Sequence, residues 1–412
     1  MRKMRDSGID WIGTIPQDWQ LSKIGSLYTQ RNEKVSDKDY QPLSVTMQGI
    51  LPQLATAAKT DDGDNRKLVR VGDFAINSRS DRRGSCGISP LDGSVSLINI
   101  ILTPRTAMHP GYYNWLFHTT LFADEFYKWG HGIVADLWTT RWQEMKSITV
   151  PVPEYAEQER IAAFLDAECA EIDAVLEKTR ASIEEYKKLK QAVITQAVTK
   201  GIRGDRPMKD SGIEWIGDIP AEWDVIRNVF LYKEKSRLPE ENAVSLSLSQ
   251  VDGLIATDDM KERSLKTSTY DGWKQVRTND LVLNRFKGHL GVLFAANIEG
   301  MVSFHYGVYE PLRQFDSKFF EYLYHSDAYK AILGLKSNGM TIGLQNLSNQ
   351  NFYSVYSLYP PEEEQQEIIQ YLDDKCSSID ALVVQKQEHL TEIENYKKSL
   401  IYEYVTGKKE VV

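Results

Sequence analysis

Two loops that combine basic and amide side chains are the segments of this sequence best suited to chemistry with a nucleic acid. Residues 77–84 read NSRSDRRG, and residues 284–291, at the matching place in the second half, read NRFKGHLG; we call them the basic loops. Arginine can donate two parallel hydrogen bonds to guanine, asparagine can pair similarly with adenine, and lysine binds phosphates. The side chains predicted here to contact DNA are Asn77, Arg79, Arg82, Arg83, Asn284, Arg285, Lys287 and His289. The alternative is a pair of solvated surface loops, because runs of charge usually lie on solvated faces.

A second pair of polar segments also occupies matching places in the two halves. Residues 139–143 read TTRWQ and residues 346–350 read NLSNQ; we call them the second loops. Hydroxyl and amide groups suit hydrogen bonding to base edges, so Arg141, Asn346 and Asn349 join the residues predicted to contact DNA. The same residue types favour ordinary turns, and the sequence leaves both interpretations open.

Motifs for catalysis or nucleotide binding are missing from the sequence. Residues 405–409, VTGKK, lack the upstream glycine and the Ser or Thr of a phosphate-binding loop. The Asn-Pro-Pro-aromatic tetrapeptide of amino-methyltransferases does not occur. Asp136, Glu144 and Lys146 loosely resemble a nuclease triplet, but the second half has Gly343 in place of Asp136. We therefore expect no catalytic residue, and a self-sufficient nuclease or methyltransferase is the alternative.

Composition narrows the class of protein. The 412 residues suffice for two or three domains. The net charge of −9 argues against a protein that coats nucleic acid nonspecifically. Local contacts with DNA remain compatible with this charge. Cys86, Cys169 and Cys376 are too far apart for a disulfide framework or a zinc cluster, so we expect no metal site. His118 and His325 match between the halves inside aromatic helical stretches, where packed or capping roles are expected.

No apolar run approaches the roughly 20 residues that span a bilayer, and no signal peptide is visible, so we expect a soluble cytoplasmic protein.

An internal repeat determines the predicted architecture. Residues 4–19, MRDSGIDWIGTIPQDW, match residues 208–223, MKDSGIEWIGDIPAEW, and further matches continue through both halves. The period is too long for a solenoid, so it indicates a duplicated unit with pseudo-two-fold symmetry. Each half begins with short β-like runs, such as 147–152, and helical stretches at 112–129 and 319–335. The predicted fold class is therefore α+β, with globular domains at 1–152 and 206–359 followed by helices at 153–205 and 360–412.

The two long helices carry apolar residues in steps of three and four with charges on both flanks, which is a coiled-coil pattern. The predicted seam residues are Ile172, Leu176, Ile183, Tyr186, Val193, Ile379, Val383, Leu390, Ile393 and Leu400. Because the ends of a domain usually lie close together, we expect the helices to run antiparallel. About 40 helical residues would then make a bar of roughly 60 Å between the two domains. The alternative is that each helix packs on its own globular domain.

The residues of the repeat resemble the specificity subunit of type I restriction–modification systems. The resemblance is carried by the duplicated Asp-Ser-Gly-Ile-x-Trp-Ile-Gly-x-Ile-Pro-x-x-Trp segment, by the Glu-Gln and Leu-Asp pairs at the start of each long helix, and by Val-Thr at its end. It covers essentially the whole chain in both halves. It implies a non-catalytic subunit in which two target-recognition domains each read one half of a bipartite DNA site.

The resemblance also implies partners and a division of labour. The coiled coil would set the spacer between the half-sites and dock two modification subunits, which would use S-adenosylmethionine to methylate adenine. Restriction subunits would supply the ATP- and Mg-dependent motor and the nuclease, so no cofactor is expected on this chain itself. The two domains differ outside their shared framework, which implies an asymmetric site. A coiled-coil adaptor that binds only proteins is the remaining alternative.

Overall fold

A computed structural model describes residues 2–53, 63–132, 138–250, 252–260, 270–337 and 346–411 of the chain. The chain forms two compact units. Unit 1 comprises residues 1–180 and 388–412, and unit 2 comprises residues 181–387. Each long helix is continuous and contributes residues to both units, as the bounds below show.

Unit 1 is built on small antiparallel sheets covered by helices. Its strands are β1 Met4–Asp6, β2 Thr14–Pro16, β3 Gln20–Lys23, β4 Tyr28–Arg31, β5 Lys34–Val35, β6 Leu43–Thr46, β7 Gly49–Pro52, β8 Arg66–Val69, β9 Phe74–Asn77, β10 Cys86–Ile88, β11 Gly93–Val95, β12 Asn99–Pro104 and β13 Thr149–Val152. Its helices are α1 Ile24–Leu27, α2 Pro110–Phe117, α3 Thr120–Lys128, α4 Trp142–Met145 and the first part of α5 Tyr155–Lys200. The strands pair in the orders β10-β9-β12-β4, β11-β8-β5, β1-β2, β13-β3 and β6-β7.

Unit 2 repeats this plan. Its strands are β14 Met208–Asp210, β15 Asp218–Pro220, β16 Asp224–Arg227, β17 Tyr232–Glu234, β18 Leu246–Ser249, β19 Gly253–Ala256, β20 Lys274–Val276, β21 Leu281–Asn284, β22 Leu293–Ala295, β23 Gly300–Val302, β24 Tyr306–Pro311 and β25 Tyr356–Tyr359. Its helices are α6 Ser317–His325, α7 Asp327–Lys336, α8 Asn349–Tyr353 and the first part of α9 Glu362–Val405. The order β17-β24-β21-β22 corresponds to the four-stranded sheet of unit 1.

The long helices pair antiparallel within each unit. In unit 1 the ring of Phe164 on α5 lies 4.4 Å from that of Tyr404 on α9, and further along α5 the Asp173 carboxylate lies 2.6 Å from Lys397 Nζ. As residue numbers rise along α5, the numbers of the α9 residues that they contact fall, so the two helices run antiparallel.

Unit 2 shows the same direction of pairing. The Nζ of Lys386 lies 5.6 Å above the ring of Tyr186, and Lys190 Nζ lies 2.6 Å from the Asp380 carboxylate. The predicted fold class, α+β with two long helices paired antiparallel, is therefore confirmed.

The predicted seam residues all lie in protected positions on these helices. Those that are buried are Leu176, Ile183, Ile379 and Leu400. Those that are half-buried are Ile172, Tyr186, Val193, Val383, Leu390 and Ile393. Leu400 and Val405 at the end of α9 belong to the core of unit 1, and Ile194 and Val198 at the end of α5 belong to the core of unit 2. Each globular core is thus completed by the C-terminal end of the other half's helix, an arrangement that the sequence pattern did not predict.

Each helical stretch predicted as one element is in fact two helices. The stretch at 112–129 breaks at Thr119, whose backbone is extended and whose hydroxyl accepts a hydrogen bond from the Phe122 amide at 3.3 Å. The stretch at 319–335 breaks at Ser326, which occupies the same position with extended backbone. Hydroxyl residues favour helix N-caps because their oxygen can satisfy a free amide, as that of Thr119 does. The Ser326 hydroxyl instead donates to the Leu323 carbonyl at 2.7 Å. The prediction of one continuous helix in each stretch was wrong, because the spacing of apolar residues does not reveal where a helix is capped.

The matching histidines are packed residues, as expected. His118 Nδ1 contacts the Asn114 carbonyl at 2.7 Å, and His325 Nε2 donates to the Leu293 carbonyl at 2.9 Å. Burial lowers the pKa of both imidazoles, that of His325 to about 4, because charging them would require desolvating a cation. They therefore serve as neutral structural groups near neutral pH.

A tryptophan–glutamate–arginine cluster joins the repeated hairpin of unit 1 to its long helix. The indole nitrogen of Trp19 donates to Glu157, in the first turn of α5, at 2.9 Å. Arg2 bonds both Glu157 and Asp18 and lies 5.5 Å above the Trp19 ring. Arg2 holds the pKa of the Asp18 carboxyl below its usual value through their hydrogen bond. The Glu157 carboxylate, in the first turn of α5, also interacts favourably with the helix dipole.

Unit 2 builds the same cluster from its own copy of the residues. Trp223 donates to Glu364, in the first turn of α9, at 2.9 Å. Arg206 bonds Glu364 and Glu222 and lies 5.9 Å above the Trp223 ring. Glu364 is completely buried, and these two donors bond both of its carboxylate oxygens. Trp19 and Trp223, the last residues of the repeated segment, therefore make the same contact in both halves.

Removing the buried carboxylate should destabilise unit 2 locally. Glu364→Ala leaves Arg206 and the Trp223 indole without their shared acceptor, and breaking a buried pair in this way costs about 3 kcal/mol. Hydrogen exchange of the β14 and β15 amides should show the lowered free energy of opening. The matched control is Glu367→Ala on the same helix, whose carboxylate forms an exposed pair with Arg203 and should change exchange little. Equal exchange in the two variants would contradict the structural role of the cluster.

Candidate nucleic-acid interface

The basic loop of unit 1 connects β9 to β10 and contains a 3-10 turn at Ser80–Arg82. Asn77 is buried, and its side-chain oxygen accepts a hydrogen bond from the Arg79 amide at 3.0 Å. Tyr127 on α3 donates to the carbonyls of Asn77 and Arg82 at 2.8 and 3.3 Å. In this conformation Asn77 shapes the loop rather than facing solvent.

The three arginines of this loop are exposed and differ in their neighbours. Arg83 forms an ion pair with Asp124 on α3, whereas Arg82 lies 3.8 Å from the carboxylate of Asp81. The Arg79 side chain is exposed, and its backbone forms an isolated antiparallel β-bridge with that of Thr139. Surface ion pairs are weak, so a phosphate could replace Asp124 as the partner of Arg83.

The second loop of unit 1 lies directly beside the basic loop. Ser80 donates its amide to the Trp138 carbonyl at 2.9 Å, and Thr140 donates to the Ser78 carbonyl at 3.0 Å. Arg141 is exposed at the start of α4. The structure therefore brings together the two segments of this unit that were selected separately from the sequence.

Two exposed side chains extend this surface and were missed in the sequence. His131 exchanges two backbone hydrogen bonds with Thr139, at 3.0 and 3.1 Å, and Trp138 stands beside it with its ring partly exposed. A tryptophan in a polar segment without apolar periodicity is the signal that could have found them. Asp136, the residue of the possible nuclease triplet, lies outside the described residues.

The basic loop of unit 2 follows β21 as a 3-10 turn, Arg285–Leu290. The side-chain oxygen of Asn284 caps it, accepting from the amides of Phe286 and Lys287 at 3.1 and 3.2 Å. Gly291 ends the turn with a φ of 71°, a left-handed conformation that glycine adopts without strain. The shared Asn and Gly frame of the two basic loops is thus explained by backbone geometry.

Arg285 and Asn349, both predicted to contact DNA, are held in a half-buried polar cluster. Arg285 pairs with Glu234 and donates to the Asn349 side-chain oxygen at 2.7 Å. The Tyr309 hydroxyl donates to the same oxygen at 2.8 Å, and Lys274 adds a second cation to Glu234 at 2.9 Å. These contacts pair Arg285 with a carboxylate and fix its position.

The two loops of unit 2 also lie side by side, because the Leu347 amide donates to the Arg285 carbonyl at 2.9 Å. Lys287 and Asn346 are exposed. His289 is half-buried, and its Nδ1 atom is buried without a hydrogen-bond partner. Unit 2 therefore presents one lysine and an amide where unit 1 presents several arginines. The two surfaces occupy equivalent places and differ in chemistry.

Within the described ranges, no group of three or more His, Cys, Asp or Glu side chains is arranged to hold a metal ion. The helices of the same ranges include none with the length and apolar character required to cross a bilayer.

Comparison with known proteins identifies the fold. No protein-family profile matches the chain. A chain from a structure described as the structural basis underlying complex assembly and conformational transition of the type I R-M system matches with a TM-score of 0.72 and 14% identity, over 96% of this chain and 99% of that one. The HsdS subunit from Thermoanaerobacter tengcongensis matches with a TM-score of 0.50 and 15% identity, over 96% and 98% of the two chains. The chain therefore has the fold of these type I R-M proteins over nearly its full length.

Proposed function

We propose that this chain is the DNA-specificity subunit of a type I restriction–modification complex and that each unit binds one half of a bipartite site. The observation that carries the proposal is the adjacency of two polar loops at equivalent places in both units. Their shared frame is structural, whereas the exposed side chains differ: Arg79 and Arg82 in unit 1, and Lys287 in unit 2. A common scaffold with different exposed groups suits two different half-sites, so the proposed site is asymmetric.

Phosphate contacts would position each unit, and contacts with base edges would select the sequence. The exposed arginines of unit 1, including Arg83 and Arg141, are the groups suited to guanine, and Lys287 is suited to a phosphate. Asn77, Asn284, Arg285 and Asn349 would act by holding the loops in shape. Preformed loops lose less conformational freedom on binding, which favours affinity.

The long helices would set the number of base pairs between the half-sites. Each of α5 and α9 continues without interruption from residues of one unit to residues of the other, and a paired helix is stiff over such a length. Joining two short recognition events through a rigid connection raises the overall affinity without new contacts. The chain itself would be non-catalytic, and the target adenine would be flipped into the active site of a partner.

One flank of the paired helices is suited to docking the partner subunits. In unit 1, Val175 is 46% exposed and Tyr396 is 55% exposed. In unit 2, Leu189 is 48% exposed and Leu382 is 40% exposed. In each unit the two residues occupy the same heptad position, and in an antiparallel pair such positions lie on one side of the seam. The other side carries an ion pair, that of Arg180 with Glu394 at 2.6 Å. We propose that the apolar flank binds the modification subunits, which would use S-adenosylmethionine, while restriction subunits would use ATP and Mg.

Loop substitutions should weaken one half-site at a time. Arg79→Ala with Arg82→Ala should reduce affinity about 10-fold through lost base and phosphate contacts. Lys287→Ala should lower the slope of log affinity against log salt concentration by about 1, because one phosphate contact is lost. The assembled complex is titrated with duplexes in which one half-site or the other is scrambled. In the double arginine variant, scrambling the half-site of unit 1 should cost little further affinity.

Arg70→Ala is the matched control, because Arg70 pairs with Asp92 at 2.8 Å next to the start of β9, at the other end of that strand from the basic loop. Its binding should remain close to that of the unchanged chain. A double arginine variant that weakened both half-sites equally would refute the assignment of one half-site to each unit.

Docking should fail when the apolar flank is charged. Leu189→Lys with Leu382→Lys should reduce the affinity for the modification subunits about 10-fold or more, because desolvated apolar anchors dominate interface energies. Lysine is compatible with helix, so circular dichroism should be unchanged. Assembly is measured by analytical ultracentrifugation with Arg180→Ala, on the ion-paired flank, as the control. Normal assembly of the lysine variant, or equal loss in the control, would show that partners bind elsewhere.

A further inference from the structure

The surface of unit 2 beside its basic loop carries exposed aromatic rings that hydrogen bonding to bases does not use. Phe286 is 45% exposed and Phe304 is 54% exposed. The ring of His305 contacts both, with centroids 5.6 Å from Phe286 and 3.9 Å from Phe304. Contiguous exposed apolar surface of this kind usually marks a binding site.

The backbone fixes these rings at one end of the sheet. β21 and β24 pair antiparallel with Asn284 opposite Tyr306, so Phe286, two residues later, and His305, one residue earlier, lie at the same end of the ladder. The capping bond from the Phe286 amide to Asn284 holds the first ring in place. The cluster is therefore presented by the same frame that presents Lys287.

Unit 1 has no aromatic residue at these places. In the repeat, Phe286 corresponds to Arg79, Phe304 to Leu97 and His305 to Ile98. Because the surrounding frame is shared, the aromatic cluster is a specific property of unit 2 and is not required by the fold. It provides a chemical difference between the two surfaces beyond their charge.

The neighbours of the rings favour DNA over a protein as the occupant. Lys287 follows Phe286 directly and is exposed, and the exposed amide of Asn346 belongs to the adjacent loop. A phosphate-binding cation beside an apolar ring is the combination by which proteins enter a base step, because the cation anchors the backbone while the ring replaces a stacking partner. Aromatic rings also stack on any base.

We propose that Phe286 and Phe304 form a wedge that enters a base step of the half-site bound by unit 2, with His305 packed against both rings to position them. The inference rests on the proposed function and deepens it. A wedge unstacks the step that it enters, and pyrimidine–purine steps unstack most readily. Unit 2 would therefore select its half-site partly through the deformability of one step.

The test uses the complete complex with its modification subunits and a duplex in which 2-aminopurine replaces one base of the unit 2 half-site at a time. The adenine that is methylated is left unsubstituted, because flipping alone would unstack a probe there. Unstacking beside the probe should raise its fluorescence several-fold at one step. Phe286→Ala with Phe304→Ala should abolish that rise and weaken binding about 10-fold, in line with stacking energies. Phe286→Trp should retain the rise, because a larger ring can still stack.

Phe230→Ala is the control, since Phe230 is 57% exposed and lies two residues before Tyr232, which pairs with Pro311 at the opposite end of β24. Sequence-specific binding without a fluorescence rise at any position would overturn the wedge and leave the proposed function intact. Loss of subunit assembly in the double alanine variant would identify the rings as a protein-docking surface and also overturn it. Absence of any sequence-specific binding would overturn the proposed function and the wedge together.

Discussion

The hydrogen bonds between a glutamate in the first turn of each long helix and a tryptophan–arginine pair are the contacts on which the rest of each unit depends. Glu157 and Glu364 lie in the first turns of α5 and α9, and Trp19 and Trp223 belong to the repeated hairpins. Because the carboxylate is held by the indole and the guanidinium together, each hairpin is fixed relative to its helix. The strands of the four-stranded sheet share one core with the tryptophan of that cluster. A loop can present side chains reproducibly only when its scaffold is rigid.

Much of the fold could be predicted from the sequence because the repeat and the heptads can be recognised from residue types and spacing. The seam of the long helices follows from apolar spacing, and their antiparallel direction follows from the expected closeness of domain ends. The packed roles of His118 and His325 follow from their aromatic surroundings. The breaks at Thr119 and Ser326 were missed because helix capping overrides periodicity. The completion of each core by the far end of the other half's helix was missed because it depends on contacts between residues distant in the chain.

The candidate interface was only partly predictable, because burial and pairing are invisible in a sequence. The two polar loops were selected separately, and the structure places them side by side. Arg285 looks like a free cation in the sequence, yet it pairs with Glu234, from a strand 51 residues earlier. Phe286, Phe304 and His305 were passed over because exposed aromatic residues carry no distinct sequence signal. Their assembly depends on the register of two strands.

The central claim is that two different recognition surfaces, held by paired helices, bind two parts of one DNA site. Its most direct test is a genome-wide map of methylated adenine in cells that carry this chain with its modification subunits, compared with cells that lack only this chain. The account predicts methylation at one asymmetric motif of two short specific sequences separated by a constant number of unspecified base pairs. A single uninterrupted motif, a variable spacer, or an unchanged map in the absence of the chain would contradict it.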